Sequence, residues 1–92
     1  MKEEIQLMVI NCVSTKSGKT LVRYAVPQKE TAYSKGPMII DDWYDNKEVF
    51  EKLVPENRPM QAKFLYRPGF NGTATMHVTD LVNADGVVLL AE

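Results

Sequence analysis

The stretch Met60–Leu81 constrains this chain most. Met60, Ala62, Phe64 and Tyr66 fall on one face of a two-residue repeat, with Gln61, Lys63, Leu65 and Arg67 on the other. Pro68-Gly69-Phe70-Asn71-Gly72 then supplies turn residues, and Thr73–Leu81 alternates again. Alternation on both sides of a Pro/Gly turn specifies a β-hairpin, because side chains reverse face at every strand residue. Ala74, Met76 and Val78 are predicted to face inward, and Thr73, Thr75, His77 and Thr79 outward.

The rest of the chain is compatible with more strands. Ile5–Val13 is a short β-branched apolar run, read as a strand buried on both faces. Thr20–Val26 alternates, with Val22, Tyr24 and Val26 opposed to Leu21, Arg23 and Ala25, and Pro27 ends it. Pro37–Tyr44 is a third strand. Asp45 is a candidate N-cap, with Glu48 in capping-box relation, for a short helix over Asn46–Val54 that Pro55 terminates. Val87–Leu90 follows the turn Asn83–Gly86 as a last short strand. The expected architecture is mainly β: a single OB-like domain over residues 1–92. It would be a five- or six-stranded antiparallel barrel with one short helix between strands 3 and 4.

Gly18-Lys19-Thr20 copies the tail of a phosphate-binding P-loop, but the motif's first glycine position holds Val13 and the next segment has strand periodicity. A hairpin tip carrying Lys16 and Lys19 is therefore expected, with no bound nucleotide. Asp41, Asp42 and Asp45 are read as a solvated strand end and a helix cap, since Asp41 and Asp42 point to opposite faces. His77 is read as a partly exposed strand residue without companion metal ligands. Cys12, the sole cysteine, is read as a small buried apolar residue in a reducing, cytoplasmic setting. Trp43 and Tyr44 are expected to be half in the core, and Phe50, Phe64 and Tyr66 to lie on core faces. No carboxylate pair, nucleophile–base pair or metal set is readable, so neither an enzyme nor a cofactor is expected. The longest apolar runs are too short to span a membrane as helices, and residues 1–20 do not read as a secretion signal.

Charge is segregated along the chain. The net charge is −1, yet residues 14–36 carry +4 and residues 58–79 carry +3, against −4 over 41–56 and −3 over the last thirteen residues. Aromatic residues beside cations suit single-stranded nucleic acid, where rings stack on bases and cations follow phosphates. Tyr33, between Lys29 and Lys35, and Phe70, in the Pro68–Gly72 turn, fit that pattern.

The segment RPGFNGTATMHVTDLV, Arg67–Val82, resembles the late hairpin of the helix-destabilising, single-stranded-DNA-binding proteins of filamentous phages. Those are small OB-fold dimers with a Gly-x-Phe-Gly-like loop before a strand ending in Asp and Leu. The resemblance implies that Phe70 stacks on DNA and that Ser14–Lys19 and Leu21–Val26 form a DNA-contacting wing. It also implies a homodimer. The helix at Asn46–Val54 and the slightly acidic balance depart from that family. The expected function is non-sequence-specific binding of single-stranded DNA or RNA, in phage or mobile-element replication. Lys16, Lys19, Arg23, Lys29, Lys35, Lys63 and Arg67 would contact backbone, and Phe70, Tyr33, Tyr24 and Tyr66 would stack. The alternative is a protein-assembly module, with Phe70 folded onto the barrel or packed on a second subunit.

Overall fold

The computed structural model describes residues 2–92, except the side chain of Phe70. Six strands form one antiparallel sheet: β1 (Glu3–Ser14), β2 (Thr20–Val26), β3 (Met38–Tyr44), β4 (Met60–Pro68), β5 (Ala74–Val82) and β6 (Val88–Ala91). Their spatial order is β3-β2-β1-β4-β5-β6. One short helix, α1 (Glu48–Lys52), lies between β3 and β4. The predicted class, strand number and helix position are all found. The predicted closure is not: β3 ends the sheet beyond β2, and no backbone ladder joins it to β5. Side chains span that gap instead, and the result is called the seam below.

Two hairpin tips share one construction. At the β1–β2 tip, the Thr15 N–H donates to the Lys19 carbonyl and the Gly18 N–H to the Thr15 carbonyl. At the β5–β6 tip, the Asn83 N–H donates to the Val87 carbonyl and the Gly86 N–H to the Asn83 carbonyl. Gly18 and Gly86 have φ of +83° and +81°, the left-handed conformation in which a Cβ is costly. Gly18-Lys19-Thr20 is thus a hairpin tip. Thr20 is buried, and its hydroxyl donates to the Asn46 carbonyl at 2.9 Å.

The core is gathered from every strand: Leu7, Val9, Val22, Tyr24, Met60, Phe64, Val78, Leu81 and Leu90, with Val49 and Leu53 from α1. Burying an aliphatic or aromatic side chain of this size contributes about 1.5–3 kcal/mol, so this inner face is what holds the sheet curved. Two bulges adjust the pattern. In β1 the register with β2 shifts between Val9 and Asn11. Between β4 and β5 the register passes from Lys63↔Asp80 to Phe64↔Val78.

The helix begins later than predicted. Its N-cap position is Lys47, without a side-chain cap, and the Glu48 N–H donates to Asn46 Oδ1 at 2.8 Å. Asp45 is not the cap. Asn46 satisfies the first free N–H through a local side-chain turn. Val49 and Leu53 point into the core while Phe50 stays exposed, because five helical residues offer the core only one narrow stripe.

Candidate nucleic-acid interface

Residues directly opposite one another in an antiparallel pair share a sheet face. The outer face of β1–β2–β3 can therefore be read from the register. Val13, Leu21 and Trp43 form one row, and Asn11, Arg23 and Asp41 the next. Met8, Ala25 and Ile39 form a third. Val13, Ile39 and Trp43 are exposed, Trp43 at 49%. The middle row is closed by charge: the Arg23 guanidinium donates to Asp41 through Nε at 2.8 Å and through Nη2 at 3.2 Å. That bond pushes the Arg23 guanidinium up in pKa and the Asp41 carboxyl down.

Trp43 stands where this face meets the β1–β2 tip. An open cleft of about 350 Å³ is lined by Thr15, Ser17, Lys19 and Trp43. Lys19 Nζ lies 3.7 Å from Asp45, in a pair exposed on both sides. Such a pair contributes little and is readily exchanged for another anion. Lys16 has no ion-pair partner among the described residues. An indole face with two lysines and two hydroxyls beside it offers a stacking plane, two cations and hydrogen-bonding groups in one place.

Behind Trp43 lies the seam, which is polar and buried. Asp42, 2% exposed, accepts the Val78 N–H at 2.7 Å and Arg67 Nη2 at 3.1 Å. Both of its oxygens lie 3.0 Å from His77 Nδ1. His77 Nε2 lies 2.7 Å from Glu92 Oε2. The Tyr44 hydroxyl donates to the Val78 carbonyl at 2.7 Å. With its one proton so used, Tyr44 accepts from the Tyr24 hydroxyl, also at 2.7 Å. Val78 on β5 thus has its N–H and C=O satisfied by side chains of β3, where a closed barrel would use backbone. Burial raises the pKa of both phenols. Arg67 also donates to the Trp43 carbonyl at 3.2 Å.

The predicted site residues are not all brought together. Lys16 and Lys19 lie at the β1–β2 tip beside Trp43, Arg67 reaches the Trp43 backbone from β4, and Arg23 occupies the centre of the outer face. Lys29, Tyr33 and Lys35 lie in the exposed 27–37 connection at the far end of β2, where Val26 pairs with Met38. The seven residues of β2 separate the two ends by about 20 Å. Tyr33 is 99% exposed. Lys63 stands apart, in register with Glu4 on one side and Asp80 on the other. Tyr66 is exposed at the end of β4, edge-on to Phe64 at 5.5 Å and on the same strand face. Phe70's side chain lies outside the described residues.

Four readings are corrected. Tyr24 is fully buried and hydrogen-bonded to Tyr44, so it presents no ring to a base. Asp42 is buried among donors and is no solvated strand end. His77 and Thr79 are buried: Asp42, Tyr44 and Glu92 cover the predicted outer face of β5. Trp43 lies on the surface, and parity gives it away, since Trp43 must share a face with the exposed Asp41.

Compared with family models, curated proteins and solved structures, the chain matches none.

Proposed function

We propose that this chain binds single-stranded nucleic acid, DNA in the first instance, with little sequence preference. The strand would run along the outer face of β2 and β3, from the β1–β2 tip to the 27–37 connection. The observation that carries this reading is the half-exposed Trp43 beside Lys19 in the cleft at the hairpin tip. OB-folds bind oligonucleotides with the face of strands 2 and 3 and with the loops joining strands 1–2 and 4–5. Here those positions hold Trp43, Lys16 and Lys19, and the turn bearing Phe70. Lys29, Lys35 and Tyr33 would extend the path, and Arg23 would meet a phosphate by releasing Asp41. The resemblance to phage helix-destabilising proteins points to replication of a phage or mobile element as the setting.

Trp43 is the sole tryptophan, so its emission reports on the site directly. Oligothymidylate should quench it at low salt. Affinity should fall with salt at a log–log slope of about −0.7 per phosphate neutralised. Trp43→Ala, followed by anisotropy of a labelled oligonucleotide, should cost about 1–3 kcal/mol of binding, the usual contribution of one stacked base. An unquenched Trp43 at low salt removes the reading.

The exposed apolar residues Val13, Ile39 and Trp43 on one sheet face support a second reading, assembly with another protein or another copy of this chain. Size measurement with and without oligonucleotide separates the two. A stable oligomer indifferent to nucleic acid favours assembly.

A further inference from the structure

His77 is the one histidine, and it sits where the sheet fails to close. The charged and titratable groups facing it come from three strands. Asp42 and Tyr44 come from β3, Arg67 reaches the same carboxylate from β4, and Glu92 follows β6. Asp45, Glu48 and Lys52 line the cleft alongside. Each ring nitrogen is within hydrogen-bond distance of a carboxylate. An ionised carboxylate only accepts, so satisfying both contacts requires N–H on both nitrogens. A neutral ring has one proton. It can hold Asp42 or Glu92, but it turns a lone pair toward the other.

The two losses are not equivalent. Asp42 keeps Val78 and Arg67 as donors whichever way His77 is protonated. No other side-chain donor bonds the Glu92 carboxylate among the described residues, although the Glu92 N–H still donates to the Thr79 carbonyl at 3.0 Å. The neutral ring therefore keeps its proton toward Asp42 and releases Glu92. Arg67 links the seam to the surface, because it holds the Asp42 carboxylate and the carbonyl of the adjacent Trp43 together.

We infer that Glu92–His77–Asp42–Arg67 is a proton-operated latch that fixes Trp43. With His77 doubly protonated, the end of β6, β5 and β3 are tied into one unit and the indole is held at the hairpin cleft. Rising pH removes the second proton, frees Glu92 and loosens the seam behind Trp43. Arg67 is then a positioning residue and not a phosphate contact. The consequence for affinity rests on the nucleic-acid reading above, whereas the latch itself belongs to the free protein.

The test is made first without nucleic acid. The His77 ring signals are followed by NMR from pH 5 to 9, the interval in which histidine ordinarily changes charge, alongside Trp43 emission. Both should move with one midpoint. Glu92→Gln is the informative variant, since an amide can accept from the charged ring or donate to the neutral one. It should fold as the parent does and lose the Trp43 step while His77 still titrates. His77→Asn should lose the step as well. Trp43 emission that stays flat through the His77 titration, or a step unchanged in Glu92→Gln, overturns the latch. Where oligothymidylate binds, its affinity should fall across the same midpoint by about fivefold or more, the low end of ordinary coupling between sites, and a pH-independent affinity overturns the link to Trp43. Absence of binding at every pH, with the Trp43 step intact, would refute the nucleic-acid reading and leave the latch supported.

Discussion

The inner and outer sides of β3 differ by one residue in phase and by everything in chemistry. Asp42 and Tyr44 point inward, where every polar atom has a partner. Asp41 and Trp43 point outward, where one ion pair and an unpartnered indole meet solvent. The inner side shows what a buried polar cluster costs when incomplete. The outer side shows how little a surface contributes to holding the fold, and so how free it is to serve something else. Substitutions on the two sides should separate accordingly.

The largest effect should come from Asp42→Ala. It strips Val78, His77 and Arg67 of a shared acceptor, and removing one partner of a buried ion pair costs about 3–5 kcal/mol. Urea unfolding should show that loss, and a loss under about 1 kcal/mol would mean that the seam behaves like a surface pair.

A smaller effect on the same side should appear in alkali. Burial raises the phenol pKa values of Tyr24 and Tyr44 in the folded state. Their contribution is therefore complete below the ordinary tyrosine range, near pH 10, and is lost as pH rises above it, because the unfolded chain ionises first. Tyr44→Phe should lower stability at neutral pH by about 1–3 kcal/mol, since the Val78 carbonyl loses its donor. The variant should also unfold less steeply with rising pH. Parallel alkaline curves for parent and variant would break the comparison.

The smallest effect should come from Arg23→Ala on the outer side. The Arg23–Asp41 pair is exposed on both members, so urea midpoints should hardly move. The Asp41 carboxyl, held low by Arg23, adds stability only above its unfolded value. That contribution is lost as pH falls through the lower folded one. Parent and variant should differ, if measurably, at neutral pH and converge below about pH 3.

Sequence alternation located the strands because a two-residue period survives any curvature of the sheet. It placed Leu21, Arg23 and Ala25 opposite Val22, Tyr24 and Val26 correctly. It failed for His77, Thr79 and Asp42, where the second face of a strand is covered by elements distant in sequence. Asp42 and His77 lie 35 positions apart, and His77 and Glu92 15, so no local pattern could join them. The helix cap was missed for a local reason: Asn46 competed with Asp45 for the same N–H. Trp43 was legible through parity with Asp41, but large aromatic rings bias a reading toward the core.

β1 carries one more consequence. Its residues Met8–Ser14 pair with β2, while Glu3–Leu7 pair with Phe64–Met60 of β4. β1-β2-β3 and β4-β5-β6 are each a meander of consecutive strands, and five register pairs along β1 are the entire backbone splice between them. Each meander closes over short loops and can form early. The splice must wait for chain ends far apart in sequence, which is the slow kind of event in β folding. The molecule is therefore two half-sheets that dock, and the docking step governs how fast it folds.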